Sequence, residues 1–166
     1  LGALSTGFLV YGIAWIYGCT GTMNLDVIAG MLNDGRAAEV QRVPLLFGIA
    51  LVLVGLGFKV GAVPMQFWIP DVYQGAPLPT TAFLSVGSKA AGFILLIRVL
   101  DPFLGSELTA NPVLGILAAL AAATLLFGNL AAIAQTNFKR LLAYSSIAHA
   151  GFMLLRLPHE LGALFE

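Results

Sequence analysis

The stretch that decides the fold is residues 55–64 (GLGFKVGAVP), followed by residues 83–93 (FLSVGSKAAGF). Each places one lysine, Lys59 or Lys89, in a segment that otherwise has the composition of a membrane-buried helix. An ammonium group at the centre of the hydrocarbon layer costs roughly 2.5–3.5 kcal/mol on insertion scales, so such residues usually belong to an ion or proton pathway. The two lysines are therefore the first functional candidates.

The composition predicts an integral membrane protein. The 166 residues are 59% hydrophobic and 10% charged, with a mean hydropathy of +0.94, far too apolar for an ordinary soluble domain. The net charge is zero and no basic block occurs, so no nucleic-acid partner is indicated. Cys19 is the single cysteine, which excludes a disulfide within this sequence and any multi-cysteine iron–sulfur or zinc site.

The hydropathy pattern predicts an all-α, polytopic bundle of transmembrane helices in a single membrane domain. Using roughly twenty apolar residues per span, we place spans at about 1–22, 43–69, 80–100 and 112–135, and a fifth helix starting at 141. We expect this fifth helix to end early, at residues 156–160 (RLPHE). Because the sequence starts at Leu1 within an apolar run, we interpret it as an internal fragment of a longer protein.

A broken helix is predicted in the second span. Pro64 removes one backbone hydrogen bond and clashes with the preceding turn, and Gly61 lies three residues before it. We expect the break at residues 61–63, with Lys59 beside the carbonyl end of a half-helix, where a cation is favoured. Residues 68–79 (WIPDVYQGAPLP) are rich in helix breakers and predict a turn at the membrane surface.

The remaining loops give a relative topology. Alternation places loops 23–42 and 101–111 on one side, and loops 70–79 and 136–140 on the other. The basic pair Lys139–Arg140 favours the cytoplasm for the second side. In the first loop we predict a short amphipathic helix over 25–32 and a turn at 33–35. Arg98 and Asp101 are three residues apart and are expected to pair.

The lysines are candidate proton-holding sites. Desolvation disfavours the charged form of an ammonium group, and a second ammonium nearby disfavours it further. A lysine in such a position can take up a proton and pass it on. His149, four residues after Ser145 and on the same helix face, could extend such a relay. The alternative is structural: a lysine can extend its charged end to the membrane surface, and His149 can supply an interhelical hydrogen bond.

Two motifs resemble a known family. Residues 58–91 (FKVGAVPMQFWIPDVYQGAPLPTTAFLSVGSKAA) and 137–151 (NFKRLLAYSSIAHAG) are similar to the antiporter-like membrane subunits of respiratory complex I, the proton-translocating NADH-quinone oxidoreductase. The runs PDVY and SVGSK resemble the subunit N (subunit 2) branch more than branches L and M. This resemblance implies an antiporter-like fold, in which Lys59 corresponds to a channel lysine on a broken helix and Lys89 to one on the next helix.

The resemblance also implies which cofactors, partner subunits and membrane to expect. No cofactor is expected on this chain; NADH or another donor, flavin, iron–sulfur clusters and quinone would belong to partner subunits. The expected partners are other membrane subunits and lipid, in a bacterial inner or thylakoid-type membrane. Two departures stand out: two ionisable channel residues of the family lie outside this sequence, and Met65-Gln66 stands where Phe-His is common.

The resulting hypothesis is proton translocation as part of an NADH-quinone oxidoreductase, coupled to quinone reduction in partner subunits. One alternative is a subunit of a multisubunit cation/proton antiporter, which would carry the same helices. A second is a structural membrane subunit in which the lysines only pack and pair.

Overall fold

The computed structural model describes residues 1–33, 40–106 and 108–162, with side chains described as far as residue 157. Every regular element in these residues is helical. The helices are α1 (Gly2–Thr20), α2 (Leu25–Asn33), α3 (Arg42–Val60), α4 (Trp68–Gly75), α5 (Leu78–Phe83), α6 (Lys89–Leu104), α7 (Ala110–Ile133) and α8 (Phe138–Gly162). A π-helical turn, Leu84–Ser88, joins α5 to α6.

Four helical stretches in the described residues are long and apolar enough to cross a membrane. They are Gly2–Thr20, Arg42–Val60, Leu78–Leu104 and Ala110–Ile133. Many large apolar side chains on them face outward, among them Val43, Ile94 and Ile133, as expected of helices solvated by lipid. The chain is thus an all-helical, multi-pass membrane protein, as its composition predicts.

Several prolines lie within helices where the sequence suggested loops. The stretch 68–79, predicted as a turn, contains helix α4 and the start of α5. Pro70 is the third residue of α4 and Pro79 the second of α5; at these positions a missing N–H costs nothing, since the first N–H groups of a helix have no intrahelical acceptor. Pro102 lies inside α6, so the predicted loop 101–111 shrinks to the residues between Leu104 and Ala110.

Helix α8 differs from the predicted fifth helix at both ends. It begins at Phe138 rather than 141 because the Asn137 side chain caps it, accepting hydrogen bonds from the Lys139 and Arg140 N–H groups at 2.9 and 3.4 Å. The expectation that it ends early was wrong, because α8 runs through Pro158 to Gly162. Prolines are tolerated in membrane helices because neighbouring groups can satisfy the freed carbonyl.

The polar loop between α1 and α3 contains α2, as predicted. Its Asp26 carboxylate forms an exposed ion pair with Arg98 on α6 at 3.4 Å. We had expected Arg98 to pair with Asp101, but Arg98 pairs instead with Asp26 of α2. Of the predicted turn 33–35, residues 34 and 35 lie outside the described residues.

Close glycine contacts hold the helices in two pairs. A Cβ atom on Gly12 of α1 would lie 2.7 Å from the Gly48 carbonyl oxygen of α3, and one on Gly128 of α7 would lie 2.7 Å from the Ala148 nitrogen of α8. Lipid tails are as apolar as the helices, so helix association in a membrane relies on such close packing of small residues. Helix α6 packs against α3 of the first pair and against α7 and α8 of the second, and α3 and α6 together supply about half of the residues in the main buried apolar cluster.

Replacing Gly128 by alanine is expected to destabilise the protein. The added methyl group would meet the α8 backbone rather than a mobile side chain, and overpacking of this kind costs about 1–3 kcal/mol. Gly115→Ala on the same helix is the matched control, since nothing lies within 4 Å of a Cβ at that position. We expect the thermal unfolding midpoint of the complete membrane protein in detergent to fall for Gly128→Ala only. Equal midpoints for the two variants would contradict the close contact.

Candidate functional site

The helix break between α3 and α4 is built around Gly61. This residue ends α3 with φ 80°, a left-handed conformation that glycine adopts without steric cost. The Gly57 carbonyl oxygen accepts hydrogen bonds from both Gly61 and Ala62, each at 2.8 Å. The Val63–Pro64 peptide bond is cis, and the chain becomes helical again at Trp68. The broken helix predicted from Gly61 and Pro64 is therefore present.

Neighbouring side chains satisfy the polar groups that the break exposes. The Val63 N–H donates to the Thr124 hydroxyl oxygen of α7 at 3.0 Å, and that hydroxyl donates to the Leu120 carbonyl at 2.6 Å. The Trp68 indole N–H donates across the break to the Phe58 carbonyl at 3.0 Å, and the two rings stack at 5.3 Å. The break is thus held from two directions.

Lys59 lies in the last turn of α3, at the carbonyl end where it was predicted. Its side chain is exposed on the surface of the described chain. Helix α6 comes close at this point: a Cβ atom on Gly92 would lie 3.4 Å from the Lys59 Cβ and 3.0 Å from Val60 Cγ1.

Lys89, in contrast, is buried, with 4% of its surface exposed. It directly follows the π-helical turn Leu84–Ser88, a kind of irregularity that often occurs at functional sites. Its ammonium group donates hydrogen bonds to the Ser146 carbonyl oxygen at 2.6 Å and the Ser146 hydroxyl oxygen at 2.5 Å. A Cβ on Gly61 would lie 3.9 Å from the Lys89 Cε, so the helix break borders the lysine stem.

Lys89 faces a cavity of about 430 Å³ between α4, α5, α6 and α8. The polar residues that line it with Lys89 are Tyr73, Thr81, Ser85, Ser145, Ser146 and His149. The structure therefore places Lys89 and His149 in the lining of the same cavity, whereas Lys59 does not line it. No group of three or more His, Cys, Asp or Glu side chains in the described residues could hold a metal ion.

An ionic contact holds α4 against α8 beside this cavity. The Arg140 guanidinium donates hydrogen bonds to the Asp71 carboxylate at 2.9 Å and to the Gln74 amide oxygen at 3.0 Å. The hydrogen bond with Asp71, supported by one with Tyr144, raises the pKa of Arg140 above its usual value. Sequence reasoning predicted neither this contact nor the approach of Tyr73 to Ser146, because both join residues about seventy positions apart.

The chain matches both a family model and individual curated proteins. A family model described as NADH:quinone oxidoreductase/Mrp antiporter, transmembrane, matches residues 1–162. The NADH-quinone oxidoreductase subunit N 2 of Roseiflexus castenholzii is 51% identical over 155 residues, covering 93% of this chain and 30% of that protein. The chain thus spans about a third of the length of the curated relatives that it matches.

Solved structures share the fold. A chain of respiratory complex I from Thermus thermophilus with bound aureothin is 44% identical, with a TM-score of 0.75, over 94% of this chain and 31% of that chain. A chain of the membrane-bound sulfane sulfur reductase, an archaeal respiratory membrane complex, is 35% identical, with a TM-score of 0.83, over 95% of this chain and 31% of that chain.

Replacing Thr124 by valine is expected to loosen the helix break. Valine keeps the shape but leaves the Val63 N–H without its acceptor, and an unsatisfied buried donor costs about 1–3 kcal/mol. Hydrogen–deuterium exchange of the segment around Val63 should become faster in the complete protein. Thr124→Ser, which keeps the hydroxyl, is the control and should exchange as the wild type does. Unchanged exchange in Thr124→Val would show that the hydroxyl does not stabilise the break.

Proposed function

This chain belongs to the NADH:quinone oxidoreductase/Mrp antiporter transmembrane family, and we propose that it is the part of a subunit N that moves protons across the membrane. In this proposal the subunit works within an NADH-quinone oxidoreductase, and proton movement is coupled to quinone reduction in partner subunits. The curated relatives named subunit N and the two motifs around Lys89 and His149 support the assignment.

The observation that carries the proposal is that Lys89 is buried and faces a cavity lined by six other polar side chains. Burial of a charged group is costly, and structural packing alone does not require a lysine at this depth. Ser146 compensates part of this cost through two hydrogen bonds from the lysine. A lysine held this way can lose its proton to an acceptor in the cavity without a change in the fold.

The neighbouring groups give the proton a route. His149 lines the same cavity as Lys89, and a histidine side chain can both accept and donate a proton, so we assign it the next position in the relay. Lys59 lies on the other side of the contact between α3 and α6.

A shift at the helix break would move the Lys89 stem, which Gly61 borders. We propose that electrostatic or conformational change arriving from partner subunits acts through this break.

The partners follow from the same proposal. We place the electron donor (NADH or another), flavin, iron–sulfur clusters and quinone in partner subunits, and none of them on this chain. Other membrane subunits and lipid would surround the exposed apolar side chains in a bacterial inner or thylakoid-type membrane.

A second candidate function is cation/proton antiport in a multisubunit antiporter, because the matching family model covers such proteins as well. Dependence of proton movement on sodium, in the absence of any electron donor, would favour this alternative. Copurification with redox subunits would favour the first.

Replacing Lys89 by methionine tests the proposal. Methionine is similar in length but cannot carry a proton, so we expect at least a tenfold fall in donor-driven proton uptake by inverted vesicles that contain the complete complex, since acid–base groups typically contribute about 10²–10⁴-fold. Electron transfer, followed in parallel, should fall with it if the two processes are coupled.

Lys139→Met is the matched control, because Lys139 lies at the start of α8 and does not line the cavity. Lys59→Met, measured separately, reports whether the exposed lysine of α3 belongs to the same path. Full proton uptake by Lys89→Met would instead favour the structural interpretation, in which the lysines only pack and pair.

A further inference from the structure

Tyr73 on α4 has a hydroxyl group that the fold leaves without a clear partner. The side chain is buried, with 3% of its surface exposed, and its ring packs in a small apolar cluster with Ile69, Ala143 and Ile147. The hydroxyl lies within interaction range of the Ser146 side chain. It makes no well-aligned hydrogen bond with any described residue.

Such a hydroxyl requires an explanation. A buried polar atom without a hydrogen bond destabilises the folded state, and such atoms are few in native proteins. Phenylalanine would fill the same apolar cluster without this cost. Packing alone therefore does not account for the oxygen atom of Tyr73.

The surrounding contacts direct this hydroxyl toward the lysine site. Arg140 binds Asp71 and Gln74, which flank Tyr73 along α4, and so holds this face of α4 on α8. Tyr73 lines the same cavity as Lys89 and Ser146. Ser146 is thereby placed between the lysine ammonium, which it already binds, and the tyrosine hydroxyl.

Resting on the proposed function, we propose that Tyr73 is a positioning residue for proton release: it orients the Ser146 hydroxyl toward Lys89 when the lysine is uncharged. Tyr73 does not itself exchange a proton in this step. It acts on the lysine only through Ser146.

The step is a proton transfer with two rotations. With Lys89 charged, the ammonium donates to the Ser146 hydroxyl oxygen, as in the structure. One proton then leaves the ammonium for a water molecule or for His149 in the cavity, and the nitrogen keeps the electron pair. The Ser146 hydroxyl rotates to donate to that electron pair, and the Tyr73 hydroxyl donates to the Ser146 oxygen. A serine hydroxyl supports this arrangement because it has one donor and two acceptor positions.

The test is a double-mutant cycle in the complete complex in inverted vesicles, with donor-driven proton uptake as the measurement. Tyr73→Phe removes one oxygen atom and keeps the ring, and we expect proton uptake to fall about threefold to tenfold, the effect of losing one hydrogen bond. Because Tyr73 acts through Ser146, the double variant Tyr73→Phe/Ser146→Ala should be no slower than Ser146→Ala alone. A merely structural role of Tyr73 would instead give additive effects.

A second measurement restores the donor. Incorporation of 4-aminophenylalanine at position 73 returns an N–H group to the same place and should recover proton uptake. Tyr17→Phe is the control, since Tyr17 is exposed on α1 and lies away from the cavity; it should behave as the wild type.

The outcomes separate the two proposals. Wild-type proton uptake by Tyr73→Phe, additive effects in the double variant, or failure of 4-aminophenylalanine to restore uptake would overturn the role of Tyr73. If Lys89→Met also pumps normally, the proposed function itself fails. If Lys89→Met is inactive while Tyr73→Phe is unaffected, only the inference about Tyr73 fails.

Discussion

The interior of a membrane contains no water to bind an exposed peptide group, and the helix break between α3 and α4 exists under that constraint. Each N–H or C=O freed at the break must find a partner within the protein. Thr124 supplies an acceptor from α7, Trp68 supplies a donor from beyond the break, and the Gly57 carbonyl accepts two donors. The break is consequently a defined structure rather than a disordered gap, and Lys89 packs beside it.

The site is formed by helices that are far apart in the sequence and come together in the fold. Lys89 reaches Ser146 on α8, and α8 is fixed at its close distance to α7 by Gly128. Arg140 fixes α4 on the same helix. Helix α8 therefore carries both Ser146, the hydrogen-bond partner of the lysine, and Arg140, which binds α4.

Local patterns were sufficient to predict the membrane spans and the break at Gly61, because apolar runs and the effects of proline and glycine on a helix can be read from neighbouring residues. They were insufficient where a proline falls in the first turn of a helix, as Pro70 does, or where a cap such as Asn137 starts a helix early. Lys59 and Lys89 both lie in apolar segments of the sequence. Their different exposure depends on tertiary packing, because Lys89 is buried beside the helix break and binds Ser146 of α8, whereas Lys59 is exposed.

The Trp68 indole bridges the break, hydrogen-bonded to Phe58 and stacked on its ring. Indole emission responds to hydrogen bonding and to nearby water, so this side chain is a natural optical reporter of the break. The sequence contains two tryptophans, and the other, Trp15, lies on α1. With Trp15 replaced by phenylalanine, the fluorescence of this segment would follow the geometry of the break in real time, without an attached dye.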